Sequence, residues 1–161
     1  MFNRLTNESR GCVEVAFEET RMLGQDLLGD EDLLLGILRV DEGIAAEALS
    51  SLGVTLEGAR EESEGMLSDA LSSVGISLEE IRREAGDAFD MSIPDDRKIP
   101  YSPRAKNVLV GARKEMRRLG DNYLGTEHVL LGILGNEDGM AVRMLARLGV
   151  STEVLEDRLY D

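Results

Sequence analysis

The stretch Leu124-Gly125-Thr126-Glu127-His128-Val129-Leu130-Leu131-Gly132-Ile133-Leu134 decides the fold, because a copy of it stands earlier in the same chain. The copy is Leu28-Gly29-Asp30-Glu31-Asp32-Leu33-Leu34-Leu35-Gly36-Ile37-Leu38. Around these stretches, roughly 20 of about 57 aligned positions are identical at a constant offset of ~96 residues. Self-similarity of this length indicates two copies of one structural unit.

Each copy has the sequence pattern of short amphipathic helices. Apolar residues recur three and four positions apart, glycines separate the runs, and four helices per repeat are the simplest interpretation. Thr6 and Ser102 are predicted to cap the first helix, with Pro103 in its first turn, and Asp30 and Thr126 to begin the second. The other predicted boundaries are Gly24 and Gly120 after the first helix, Gly43 and Gly139 before the third, and Thr55 with Ser151 or Thr152 before the fourth. The sequence therefore predicts an all-α fold.

A shorter duplication lies between the repeats. Residues 48–57 reappear as residues 70–79, about 22 positions later, and Ser77 with Glu80 forms the S-x-x-E pattern of a capping box. We interpret this segment as an added helical unit, and an amphipathic linker is the alternative. The predicted organisation is a single domain, residues 1–161, with repeat one at 1–67, the inserted unit and linker at 68–98, and repeat two at 99–161.

The chain is strongly acidic. Its formal net charge is −14, which disfavours nucleic acid as a partner because phosphate backbones would be repelled. The excess lies in residues 1–98, with about 9 basic and 23 acidic side chains, whereas residues 99–161 carry about 9 of each. Apolar runs stay far below the roughly 18 residues that a membrane span needs. Neither nucleic acid nor a membrane is therefore an expected partner.

Residues that carry chemistry are few. One cysteine, Cys12, and one histidine, His128, cannot build a disulfide or a zinc cluster within one chain, so no metal is expected. The sequence holds no G-x-x-x-x-G-K-[ST] loop and no Ser/His/Asp or Cys/His arrangement, so neither a cofactor nor enzymatic activity is expected. We interpret His128 as a hydrogen-bonding group at a helix start. The N-terminal residues lack the features of a signal peptide, which favours the cytoplasm.

With Pro100-Tyr101-Ser102-Pro103-Arg104-Ala105-Lys106 before it, the opening stretch closely resembles the Clp N-terminal repeat domain, and more narrowly the N domain of ClpC-type unfoldases. The resemblance covers nearly the whole chain from Phe2 onward, interrupted by the added unit. It implies two pseudo-twofold-related four-helix repeats that dock substrates and adaptor proteins ahead of an ATPase ring. Because the phosphate loop of that ring is missing, we expect a stand-alone recognition module. The alternative is that the chain is a fragment of a longer protein. The expected partners are a Clp unfoldase, adaptors or protein substrates.

The resemblance also implies a ligand. In ClpC-like N domains the Glu of each G-T-E-H motif is associated with phosphoarginine, and a carboxylate suits a guanidinium while helix amides and cations suit phosphate. Repeat two has two interpretations, a retained phosphoarginine site and a Glu that only complements the helix dipole. The predicted ligand-binding residues are Glu127, Thr126, Ser102, Arg104 and Lys106.

Repeat one is expected to have lost this site. Glu31 stands between Asp30 and Asp32, Thr6 is the upstream hydroxyl, and Glu8 stands where repeat two has Arg104. Three carboxylates in a row are expected to repel phosphate at close range.

A second implied surface is the groove near the start of both first helices, which takes cyclic peptide antibiotics and adaptors in related N domains. The matching residues are Phe2, Arg10, Val13, Tyr101 and Lys106, while Val110 stands where an acidic residue is common. The alternative is that Phe2 and Tyr101 plug the junction between the repeats. Sequestration of cyclic peptides is accordingly the alternative function. The cations Arg113, Lys114, Arg117 and Arg118 suit an acidic partner, or else form a solvated helix face.

Overall fold

The apolar spacing of the repeats produces helices throughout the part of the chain that the computed structural model describes, which is residues 5–22, 25–73, 75, 77 and 99–160. Repeat one contains α1 (Asn7–Met22), α2 (Asp30–Val40), α3 (Ile44–Ser51) and α4 (Leu56–Ser73). Repeat two contains α5 (Pro103–Arg118), α6 (Thr126–Gly135), α7 (Met140–Arg147) and α8 (Thr152–Tyr160). The predicted all-α fold with four helices in each repeat is confirmed. None of the described helices is long and apolar enough to cross a membrane.

The helix ends follow the predicted caps. Ser102 Oγ accepts a hydrogen bond from the Ala105 amide at 3.1 Å, with Pro103 as the first helical residue, and Thr6 Oγ1 accepts from the Ser9 amide at 3.1 Å. Thr55 Oγ1 accepts from the Gly58 amide at 3.0 Å. Each bond satisfies one of the amides that a helix start leaves unpaired. The predicted end of α1 at Gly24 lies outside the described residues.

The glycine inside the Leu-Leu-Gly-Ile-Leu motif lets the first two helices of each repeat cross closely. A Cβ at Gly36 would collide with the backbone carbonyl of Cys12, and a Cβ at Gly132 would collide with that of Val108. The flanking Leu and Ile side chains are buried on both sides of this crossing. One apolar core runs through both repeats, and it includes Leu34, Leu49, Leu130, Leu145 and Leu155.

The contacts between the repeats obey the predicted pseudo-twofold relation. Helix α2 packs on α7 as α6 packs on α3, and α4 packs on α7 as α8 packs on α3. Polar bonds tie the same elements together: Arg147 Nε lies 2.9 Å from Glu62 Oε2 on α4, and Arg158 donates to Ser51 Oγ at 2.9 Å. The two repeats therefore form one structural unit.

The inserted unit begins differently from the prediction. Helix α4 has 18 residues against 9 in α8, and it continues through the predicted boundary between residues 67 and 68. Its second half contacts repeat two, because Asp69 Oδ2 lies 3.3 Å from Arg147 Nη2. Apart from residues 75 and 77, the remainder of the predicted unit, including Glu80 of the capping box, lies outside the described residues.

Candidate functional site

Two composite sites form where each repeat meets the loop before the second helix of the other repeat. Leu5 pairs with Leu124, and Leu28 with Tyr101, as isolated parallel bridges. The Thr6 amide donates to the Leu124 carbonyl at 3.0 Å, and the Ser102 amide donates to the Leu28 carbonyl at 2.8 Å. These bonds set the start of α5 beside the start of α2, and the start of α1 beside the start of α6.

The first composite site is a cavity of about 720 Å³, which we call the Glu31 cavity. Ser102, Pro103 and Arg104 of repeat two line it together with Glu31, and Leu27 and Met140 form an apolar rim. The other lining residues are Gln25, Asp26, Gly29 and Asp30. The sequence grouped Ser102 and Arg104 with Glu127, whereas in the structure they line a cavity with Glu31. Lys106 lies one turn further along α5 and is exposed, outside the cavity lining.

At the second composite site, the Glu127 corner, the counterparts of Glu31, Ser102 and Arg104 are Glu127, Thr6 and Glu8. Glu8 lies close to the junction, since its Cβ is 3.6 Å from where a Cβ of Gly43 would stand, and Thr126 Oγ1 is 2.8 Å from the same point. The rim residues equivalent to Leu27 and Met140 are Tyr123 and Ile44, which are 61% and 52% exposed. Sequence reasoning missed all four rim residues, although their constant ~96-residue spacing was visible in the repeat.

Asp30 and Thr126 connect the two repeats through buried hydrogen bonds. Both are only 2% exposed. Asp30 Oδ2 accepts from the Ala141 amide of α7 at 2.9 Å, and Thr126 Oγ1 accepts from the Ala45 amide of α3 at 3.3 Å. Each side chain thus caps the third helix of the opposite repeat. Thr126, which the resemblance places in the ligand-binding set, has its hydroxyl oxygen engaged in this buried bond, and its role in ligand binding stays a prediction.

Glycine is required before each of these cross-caps. A Cβ at Gly139 would collide with Asp30 Oδ2, and a Cβ at Gly43 would lie 2.8 Å from Thr126 Oγ1. Gly43 also has φ of +100°, which residues with a side chain rarely adopt. The two predicted helix-start glycines therefore make room for the opposite repeat.

Asp32 and His128 hold the local turn at the start of the second helices. Asp32 Oδ2 accepts from the Gly29 amide at 2.9 Å, and His128 Nδ1 accepts from the Gly125 amide at 2.9 Å. The predicted helix-start role of His128 is confirmed. Because Nδ1 accepts, the ring proton sits on Nε2, which donates to Asp121 Oδ2 at 2.7 Å. Burial raises the pKa of Asp32 to about 6, although the Gly29 amide opposes that shift.

Glu31 and Glu127 occupy the second position of their helices, and each carboxylate folds back over the preceding glycine. A Cβ at Gly29 or Gly125 would collide with it. Burial, followed by the charges of Asp32 and Asp30, raises the pKa of Glu31 to about 8. A Glu31 that keeps its proton near neutral pH repels phosphate less than the predicted run of three carboxylates. A bound guanidinium would favour the ionised carboxylate and displace that proton.

The residues predicted to form the cyclic-peptide groove differ in burial. Val13 is a buried core residue, 7% exposed. Tyr101 is half-buried and its ring centroid lies 5.4 Å from that of Phe17, while Arg10 is exposed. Phe2 lies outside the described residues. Cyclic-peptide binding stays a prediction.

Three side chains with possible metal-ligand atoms lie together near the Glu127 corner. Asp121, Glu127 and His128 each place one ligand atom within 4.8 Å of the others. The Nδ1 atom already accepts the Gly125 amide, and the proton on Nε2 is shared with Asp121. A metal ion would have to displace that proton, so the arrangement is better described as a chain of hydrogen bonds. The predicted lack of a metal is not tested by it.

Sequence comparisons identify relatives over nearly the whole chain. The Clp repeat (R) N-terminal domain family matches residues 4–68 and 58–148. An ATP-dependent Clp protease ATP-binding subunit ClpA homolog of Cyanidium caldarium is 38% identical over 159 residues, which is 99% of this chain and 16% of the relative. The chloroplastic chaperone protein ClpC of Pisum sativum is 37% identical over 149 residues, which is 92% of this chain and 14% of the relative. The chain thus spans 14–16% of the length of these relatives. The predicted cytoplasmic location stays a prediction.

Two solved structures share the fold. The N-terminal domain of the chaperone ClpD from Arabidopsis thaliana superposes with a TM-score of 0.71 at 24% identity, covering 99% of this chain and 97% of that one. The Hsp104 N-terminal domain from Candida albicans gives a TM-score of 0.64 at 14% identity, covering 99% and 91%. At these identities the likeness concerns the fold alone.

Proposed function

The chain belongs to the Clp repeat N-terminal domain family, and from that premise we propose that it is a non-catalytic module that binds protein segments for a Clp unfoldase. The observation that carries the proposal is the Glu31 cavity. It is built from both repeats, and it combines a carboxylate, an exposed guanidinium and an apolar rim in one space of about 720 Å³. That mixture suits a peptide side chain with its neighbours, because a few polar groups fix orientation and apolar walls supply contact area.

We propose phosphoarginine as the ligand class of this cavity. The Glu31 carboxylate is placed to accept a guanidinium, and Arg104 with the Ser102 hydroxyl lies on the opposite repeat, where a phosphoryl group needs donors. The start of α5 adds the positive end of a helix dipole. In the Glu127 corner, Glu8 stands in the position of Arg104, so the same phosphoryl group meets a carboxylate there. We therefore place the stronger site at Glu31, the reverse of what the sequence predicts.

The test is calorimetric titration with a peptide that carries one phosphoarginine, alongside the same peptide with unmodified arginine. Glu31→Gln should weaken phosphoarginine binding by at least about tenfold, which corresponds to roughly 1.4 kcal/mol. Arg104→Gln should weaken the phosphorylated peptide more than the unmodified one. Glu127→Gln is the matched control and should change the affinity less. Equal affinity in all three variants would contradict the assignment.

The broader role is tested in a lysate. Immobilised protein should retain a Clp unfoldase, an adaptor or Clp substrates, and substitution of Glu31 should reduce the substrates retained. Recovery of no Clp component would count against a role in the Clp system, whatever the outcome of the titration.

A further inference from the structure

Repeat two has a groove between α5 and α6 that is separate from both composite sites. We call it the α5–α6 groove, and its volume is about 310 Å³. Three glycines, Gly111, Gly132 and Gly135, line it together with Lys114. The other polar lining residues are Asn107, Glu115 and Asn136.

Repeat one shows why the groove exists. Val15 and Arg39 stand at the positions of Gly111 and Gly135. Arg39 crosses from α2 to α1, where its Nη2 lies 3.1 Å from Glu18 Oε2 and its Nη1 lies 3.5 Å from Glu19 Oε1. Repeat two lacks both side chains, and a Cβ at Gly135 would meet nothing within 4 Å. The space that an arginine spans in repeat one is therefore open in repeat two.

The open space is not suited to another cation. Glu115, the counterpart of Glu19, already accepts from Arg118 Nε at 3.1 Å and Nη2 at 2.7 Å, and from the Tyr160 hydroxyl at 3.1 Å. Lys114 replaces Glu18, so a positive charge stands where repeat one has a negative one. A cationic ligand would be repelled by the Lys114 ammonium, and the Glu115 carboxylate is already neutralised by Arg118.

The groove instead offers donors. Lys114 is exposed and forms no ion pair with any described residue, and Arg113 and Arg117 stand near it on the same helix. Asn107, which is exposed, contributes a side-chain amide. In a chain of net charge −14, this local excess of positive charge complements a negative group.

We propose that the α5–α6 groove binds an aspartate or glutamate side chain of a partner protein, with Lys114 pairing with its carboxylate. A volume of about 310 Å³ admits one such side chain and its backbone, which fits an acidic peptide segment laid across α5 and α6. The site is independent of the Glu31 cavity, so the module has two recognition surfaces with different chemistry.

The experiment is an NMR titration of ¹⁵N-labelled protein with the capped peptide acetyl-Ala-Glu-Leu-Glu-Glu-Leu-Ala-amide. Saturable shifts should appear at the amides of Gly111, Gly132 and Gly135, with a dissociation constant of about 1 mM or tighter. The counterpart with glutamine in place of glutamate should leave these amides unchanged. No saturable shift at these three glycines, or equal shifts with both peptides, would overturn the proposal.

Substitutions that copy repeat one provide the variants. Lys114→Glu and Gly135→Arg install the residues that repeat one carries in the same fold, and each should weaken peptide binding at least about tenfold. Arg143→Glu, an exposed cation on α7, is the matched control and should change it less than about twofold. An equal loss in the control would mean that general charge attraction explains the binding. If the shifts at these glycines increase with protein concentration in the absence of peptide, a second copy of the chain occupies the groove. That result would also overturn the proposal.

Discussion

Glu31 holds its proton far above the pH at which an exposed glutamate loses it, and this has a consequence for stability. Its pKa is raised by burial, then by Asp32 and Asp30, to about 8. The folded state therefore binds the Glu31 proton more tightly than the unfolded state does. The stabilising contribution is fully present below the ordinary glutamate pKa and is lost as pH rises to about 8.

We expect Glu31→Gln to flatten the pH dependence of stability between pH 6 and pH 8. The window starts at pH 6 because Asp32, with its pKa raised to about 6, titrates mainly below it. In the unaltered protein the free energy of unfolding should fall by up to about 1.4 kcal/mol per pH unit in this window. Urea unfolding at several pH values measures it. Glu127→Gln is the control, because Thr126 and His128 flank Glu127 in the chain where Asp30 and Asp32 flank Glu31. An identical slope in the Glu31 variant would show that another group is responsible.

At the scale of elements, the start of each third helix is capped from the opposite repeat. Asp30→Ala removes the acceptor for the buried Ala141 amide, and we expect it to lower the free energy of unfolding by about 1–3 kcal/mol. Asp30→Asn keeps an acceptor while removing the charge, so it should retain most of the stability. Thr126→Val should cost less, because its bond to the Ala45 amide is longer at 3.3 Å. Equal stability of Asp30→Ala and the unaltered protein would contradict the capping role.

The same elements show how far the sequence reaches. Helix positions and caps were predicted correctly at Ser102, Thr6 and Thr55, because apolar spacing and capping chemistry act over a few residues. The sequence did not predict that Ser102 and Arg104 share a site with Glu31. That grouping depends on the pairing of Leu28 with Tyr101, which are far apart in the chain. The α5–α6 groove could have been predicted from the repeat alignment, because glycines stand there in place of Val15 and Arg39.

At the scale of the whole molecule, the cross-caps and the shared core make the two repeats one cooperative unit. In each repeat, an amide at the start of the third helix donates its hydrogen bond to a side chain of the other repeat. Each composite site likewise needs residues of both repeats. A single unfolding transition should follow, even though the charge of the two repeats is so different.

The chain contains separate reporters for testing this. Its three tyrosines, Tyr101, Tyr123 and Tyr160, all lie in repeat two, and its one cysteine, Cys12, lies in repeat one. Cys12 is buried, and burial followed by the charge of Glu8 raises its pKa to about 12, so it should react with a thiol reagent only after unfolding. Tyrosine fluorescence and Cys12 labelling should therefore report the same urea midpoint. Asp30→Ala, which removes one link between the repeats, should shift both midpoints together, whereas two separate midpoints in the unaltered protein would show that the repeats unfold independently.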